Sequence, residues 1–167
     1  MEVRVPGQTL SLFISADPQT ARLHLLTNRY PNPASPPPFC QFLRAHIQGA
    51  RIERIEQAQS DRLVRLRLMA REGPCSLIAE LTGRHANVLL LDAEDRVLAA
   101  LDVSREKIGE TYRPPPLRSQ SADEHEDEPP RPDADHAFPI SASIEQRYQQ
   151  RETELAREQL RQARLSE

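Results

Sequence analysis

The sequence is poor in the residues that build several common functional classes. It holds two cysteines in 167 residues, Cys40 and Cys75, far apart and in unrelated contexts. With no Cys-x-x-Cys and no Cys/His pair at metal spacing, neither a disulfide framework nor a structural metal site is expected. No apolar run approaches the ~20 residues that span a bilayer, and the N-terminus lacks a basic-then-apolar leader pattern. The expected location is therefore the cytoplasm, without a membrane partner. Glycine is scarce, at five residues, and neither Gly-x-x-x-x-Gly-Lys nor Gly-x-Gly-x-x-Gly occurs. The common phosphate-cradling nucleotide sites are thereby excluded, and no cofactor is expected. Lysine is nearly missing too: Lys107 is the one exception among 22 basic residues, the rest being arginine.

Proline and charge are what the chain has in quantity. Its 15 prolines exceed the ~5% average usage, and its 38% apolar content falls below the roughly 45–50% of an ordinary globular domain. Part of the chain is thus not core. Charge shows which part. Residues 1–118 carry 16 basic and 13 acidic groups, residues 119–142 one basic and seven acidic, and residues 143–167 five of each. The middle stretch includes Asp123-Glu124-His125-Glu126-Asp127-Glu128-Pro129-Pro130 and has too little apolar surface to offset its ordering entropy, so a disordered acidic linker is expected over 119–142.

The body reads mostly as strands, about seven of them. Val3 and Val5 precede Pro6-Gly7, after which Leu10, Leu12 and Ile14 alternate with polar neighbours, a hairpin pattern. Val64, Leu66 and Leu68 alternate with Arg65, Arg67 and Met69, which predicts one buried and one cationic face. Leu77–Leu81, Val88–Leu91 and Val97–Leu101 follow. One helix interrupts them: Phe39, Phe42, Leu43 and Ile47 share a face between opening prolines and closing Gly49, with Cys40 expected to be buried beside Phe39. A second helix is expected from Ile144 to Leu165, marginal alone because its apolar stripe is only Ile144, Tyr148 and Leu155.

Taken in order, several stretches resemble the N-terminal domain of the NFACT family, ribosome-associated quality-control factors called RqcH in bacteria and once labelled fibronectin-binding protein A. They are Ser15-Ala16-Asp17-Pro18 with Ala21-Arg22-Leu23-His24, Asn32-Pro33 through Phe39-Cys40 to Leu43-Arg44, Gln57-Ala58-Gln59-Ser60-Asp61-Arg62, Glu80-Leu81-Thr82-Gly83-Arg84-His85-Ala86-Asn87, and Tyr112-Arg113-Pro114-Pro115. Ser143 to Arg151 is similar to the start of the family's coiled coil. The resemblance implies an α+β fold, mainly an antiparallel β-sandwich like the N-terminal domain of formamidopyrimidine-DNA glycosylases, with one short internal helix and a C-terminal coiled-coil-like helix. It implies an incomplete NFACT-N-like β domain at 1–118, the linker at 119–142 and a coiled-coil start at 143–167. It further implies a cytosolic RNA-binding protein, not an enzyme, whose partners are tRNA and the obstructed large ribosomal subunit with its peptidyl-tRNA.

Asp61 and Arg62 would carry tRNA binding, since the same pair recruits tRNA in the family. Arg62 offers a planar five-donor fork, and an adjacent carboxylate can orient it or accept from an amino or 2′-hydroxyl group. The plainer reading is a turn-forming Asp before an ordinary strand-start Arg. Arg65 and Arg67 are candidates to extend a cationic row, or merely the wet face of a strand. Gly83, Arg84, His85 and Asn87 form a second candidate RNA-contacting group, with Ala86 where the family commonly has Ser; the alternative is a loop whose Asn87 bonds local backbone.

Set against the family pattern, Gln59 replaces a turn glycine; the chain is expected to begin near the family's second strand, and no counterpart is expected for the helix-hairpin-helix module, most of the coiled coil and the C-terminal RNA-binding domain. A separate chain carrying those modules is a candidate partner. Three other readings stand beside this one: a remnant or protein-interaction fragment without RNA affinity, a fibronectin-binding adhesin, and a DNA glycosylase, for which Met1-Glu2-Val3 supplies no nucleophile.

Overall fold

A computed structural model of the chain describes residues 1–26, 33–57, 62–104, 107–115 and 138–165. Strands β1 (Glu2–Val5), β2 (Gln8–Ser15) and β3 (Arg22–Leu26) form an antiparallel sheet in that order. Helix α1 (Pro38–Ile47) precedes a five-stranded antiparallel meander of β4 (Arg51–Gln57), β5 (Leu63–Ala70), β6 (Gly73–Glu80), β7 (Asn87–Leu91) and β8 (Val97–Ala100). Helix α2 (Pro139–Leu165) comes last. Two antiparallel sheets and two helices make the chain α+β, with eight strands where the alternation indicated about seven.

Turn chemistry explains the strand boundaries. Pro6 fixes its own φ and Gly7 takes φ 81°, a left-handed value that only glycine adopts without strain, so β1 returns at once as β2. Between β7 and β8, Asp92 Oδ1 accepts from the backbone N–H groups of Glu94 (2.9 Å) and Arg96 (2.8 Å), while Asp95 takes φ 59°. Helix α1 opens with Pro38 and stops before Gly49 at φ 79°. Its apolar stripe is only half-buried, and Cys40, in the first turn, is exposed and not buried as the sequence implied.

Two compact units emerge. In one, α1, β4 to β8 and residues 16–21 belong together. Its sheet is buried on both faces at the middle strands. Register places Leu66, Leu77 and Leu90 on one face, and Ile78, Leu89, Leu91, Val97 and Ala100 on the other. Each of these eight is at most 5% exposed, which explains why β6 and β7 read as nearly continuous apolar runs instead of alternating. Tyr112 and Leu63 complete the cluster on the second face.

In the other unit, β1 to β3 support α2. The helix starts at Pro139, earlier than Ile144, with proline in the first turn where its missing N–H costs nothing. That adds Ala142 to the residues it buries, together with Glu145. Ser141 Oγ accepts the backbone N–H of Leu25 (3.3 Å), a donor on the outer edge of β3. The Arg22 guanidinium lies 4.8 Å from the ring centre of Phe13 and 4.6 Å from that of Tyr148, and bonds Glu152 (2.8 Å). Buried His24 donates from Nδ1 to the Leu25 carbonyl (2.9 Å) and accepts from Arg22 Nε (3.4 Å) on Nε2. Most of the acidic linker expected at 119–142 lies outside the described residues.

Candidate nucleic-acid interface

β5 begins and β6 ends at the same end of the five-stranded sheet, and the antiparallel register fixes what meets there. Leu63 pairs with Glu80, and Glu80 with Asn87. Just outside this row, the Leu81 N–H donates to the Arg62 carbonyl (2.8 Å), binding the start of β5 to the segment leaving β6. That segment tightens into a 3₁₀ turn, Gly83–His85, in which the His85 N–H bonds the Thr82 carbonyl (3.0 Å) and the Ala86 N–H the Gly83 carbonyl (2.9 Å). Gly83 sits at φ 47°, the left-handed value that makes so short a turn possible. Arg62, Arg84 and His85 are exposed on this end.

The turn rests on buried polar groups. Tyr112 Oη donates to Glu80 Oε1 at 2.6 Å, and both residues are buried. Asn87 is 2% exposed: its Nδ2 donates to the Asp102 carbonyl (3.1 Å), while its Oδ1 accepts from the N–H groups of Asp102 (2.9 Å) and Val88 (2.9 Å). Neutral amides satisfied at both ends tolerate burial, and such bonds hold loops in place. Residues 101–104 are thus pinned to the start of β7.

These positions correct part of the sequence reading. Asn87, a candidate RNA contact, has its amide consumed inside the protein and presents almost no surface. Arg65 and Arg67 share the face of Ile78 and Ser76, the one that carries the Tyr112 cluster, so it is no open cationic face. Arg65, with 16% of its side chain exposed, is ion-paired to Asp95 (2.7 Å), and Arg67 to Glu56 (3.0 Å). The candidates brought together at the surface are Arg62, Gly83, Arg84 and His85. Asp61 and Gln59 lie outside the described residues. Sequence reasoning gave Glu80 and Tyr112 no supporting role, although both stand in stretches that resemble the family and Glu80 is an acid closing the apolar run Leu77–Leu81.

Among the described residues, no group of three or more His, Cys, Asp or Glu side chains is placed to hold a metal, and no helix is long and apolar enough to cross a membrane.

Residues 1–167 match the family model for NFACT N-terminal and middle domains. The chain belongs to this family. The NFACT chain is 40% identical over 101 residues to "Rqc2 homolog RqcH" of Bacillus subtilis (strain 168), which covers 58% of this chain and 18% of that protein. It is 38% identical over 73 residues to "Archaeal Rqc2 homolog aRqcH" of Methanocaldococcus jannaschii, covering 44% of this chain and 11% of that one. Among solved structures, the N-terminal part of the fibronectin/fibrinogen-binding protein FBPS from Streptococcus suis superimposes with a TM-score of 0.62 at 30% identity, covering 69% of this chain and 48% of that one. The N-terminal domain of fibronectin-binding protein PavA from Streptococcus pneumoniae gives 0.61 at 33% identity, with 69% and 49% covered. The NFACT chain therefore spans less than a fifth of the length of the two curated relatives.

Proposed function

We propose that this chain is an RNA-binding module of ribosome-associated quality control, which binds tRNA on the obstructed large ribosomal subunit through Asp61 together with the sheet end bearing Arg62, Arg84 and His85. The supporting observation is that two segments matching the family, separated in sequence, put Arg62 and the Gly83–His85 turn on one rigid sheet end. A guanidinium there presents a fork to phosphate or a base edge, and a neighbouring imidazole adds a donor or acceptor, the mixture that folded RNA offers partners for. Arg65 and Arg67, already neutralised, contribute little.

The same reading takes the β domain as glycosylase-like in its strand arrangement, residues 119–142 as a tether, α2 as the start of a coiled coil and the cytoplasm as the working compartment. The module acts by binding and needs no active-site chemistry. Avidity for a ribosome comes from linked contacts, so template-free tailing of a stalled peptide calls on contacts beyond this sheet end, such as a partner chain could carry.

The test is co-sedimentation with large subunits from cells accumulating stalled chains, and tRNA binding in solution, with Asp61→Ala/Arg62→Ala beside wild type. Wild type sedimenting with subunits and the double variant losing tRNA is the expected result. Wild type that never sediments, or a double variant that binds tRNA equally well, refutes it. The names of the solved relatives favour a second reading, fibronectin or fibrinogen binding; saturable binding of immobilised fibronectin, together with surface labelling on intact cells, would support that one instead.

A further inference from the structure

Most arginines on the five-stranded sheet are neutralised within it. Arg51 pairs with Glu53 (2.8 Å), Arg54 (3.4 Å) and Arg67 (3.0 Å) with Glu56, Arg65 with Asp95 (2.7 Å), and Arg96 with Asp92 (2.8 Å). Arg44 and Arg71 depart from this pattern. Both are exposed, and among the described residues neither has a carboxylate within ion-pair distance. They come from different elements, Arg44 from the last turns of α1 and Arg71 from the hairpin between β5 and β6, yet they line one open groove of about 540 Å³ with Ala45, His46, Gln48 and Glu72.

The groove also has a fixed acceptor. His46 Nδ1 lies 2.9 Å from the Phe42 carbonyl, which can only accept, so that nitrogen carries the hydrogen. The ring is further held by stacking on Phe42, with centres 3.9 Å apart and planes 17° from parallel. In the neutral imidazole Nε2 is then a lone-pair acceptor. Two guanidinium forks, one imidazole acceptor and the Gln48 amide, against the single Glu72 carboxylate, match an anionic oxygen beside a hydroxyl. A ribose-phosphate supplies both, and the 2′-hydroxyl is the donor that His46 Nε2 would accept from.

We infer that this groove is a second contact for the RNA backbone, with Arg44 and Arg71 on phosphate and His46 on a 2′-hydroxyl. The inference rests on the tRNA-binding reading above and adds a separate site to it. Arg71 follows β5 and Arg62 precedes it, so the two contacts stand about 30 Å apart by the ~3.3 Å rise of a strand. A folded RNA spans that distance, and a mononucleotide does not. The RNA accordingly runs along the meander past β4, whose own charges are internally paired.

The experiment measures tRNA affinity between 50 and 200 mM salt for wild type, Arg44→Ala/Arg71→Ala, Asp61→Ala/Arg62→Ala and the equal-charge control Arg51→Ala/Arg54→Ala, after thermal melts show that each folds. Two lost phosphate contacts make the log–log salt dependence shallower by about 1.8, so wild-type affinity should fall roughly tenfold further over this range than that of Arg44→Ala/Arg71→Ala. A slope unchanged in Arg44→Ala/Arg71→Ala, while Asp61→Ala/Arg62→Ala loses binding, overturns the groove and leaves the first reading standing. A control that flattens the slope as much also overturns the groove, since bulk charge would account for the effect. Wild type without tRNA affinity overturns both readings.

Discussion

Asn87→Ala isolates the buried amide that ties the segment after β8 to the start of β7. The substitution deletes the donor to the Asp102 carbonyl (3.1 Å) and the acceptor of the Asp102 and Val88 N–H groups (2.9 Å each). At ~0.5–1.5 kcal/mol net per bond, with the buried Val88 N–H losing its partner and water able to reach half-buried Asp102, the expected loss is about 2–4 kcal/mol. Asn87→Asp separates donor from acceptor. It keeps the accepting oxygen but replaces the donating nitrogen with a second oxygen facing the Asp102 carbonyl, burying a carboxylate without that donor, so it should be at least as costly near pH 7. Because the buried acid binds its proton more readily in the folded than in the unfolded chain, that variant should regain stability as pH falls. With no tryptophan in the chain, urea unfolding followed by far-ultraviolet circular dichroism is the assay, and amide exchange at 101–104 reports the local effect. An alanine variant within about 0.5 kcal/mol of wild type, or an aspartate variant as stable as wild type at pH 7, would refute a structural role for Asn87 and return it to the surface candidates.

Arg22→Ala should weaken the docking of α2 on β3 by about 1–3 kcal/mol, since it removes cation–π contacts with Phe13 and Tyr148 and an ion pair with half-exposed Glu152. Loss of amide protection in α2 with the five-stranded sheet unchanged is the expected outcome, and unchanged protection counts against the clamp. His24 carries a pH signature. Burial holds its pKa below the usual value and the Arg22 guanidinium pushes the same way, while the Leu25 carbonyl and Glu145 oppose them. The unfolded chain then takes up a proton before the folded chain does, so stability is full above about pH 6.5 and declines as pH falls through the region below it. His24→Gln should lessen that decline between pH 7 and 5; an equal decline would remove His24 as its source.

Local pattern made much of this fold readable. Pro6-Gly7 marked the first hairpin, Val64, Leu66 and Leu68 gave the phase of β5, and Pro38 and Gly49 bracketed α1 because backbone restriction acts within a few residues. What the pattern concealed was set by partners distant in sequence. Arg65 looked solvent-facing because alternation says which face a residue occupies and not what covers that face. Tyr112 packs there, and Asp95, thirty residues on in sequence, supplies the counter-charge. The pattern leaves Asn87 either a displayed amide or a loop residue bonding local backbone; the Val88 N–H is that local bond, and Asp102, fifteen residues on, takes the rest of the amide. The tail's earlier start follows from Pro139 opening a helix inside the stretch whose composition indicates a tether. At the candidate site, the Gly83–His85 turn and Arg62 were legible, but their common placement required the Leu63–Glu80–Asn87 register.

The serine hydroxyl on α2 that meets the Leu25 amide has a further implication. A strand rim with open amides templates the addition of foreign strands, and here the helix shields that rim. Clipping the tail would therefore do more than shorten the chain: it would bare an adhesive border, and the trimmed protein should self-associate more readily than the intact one.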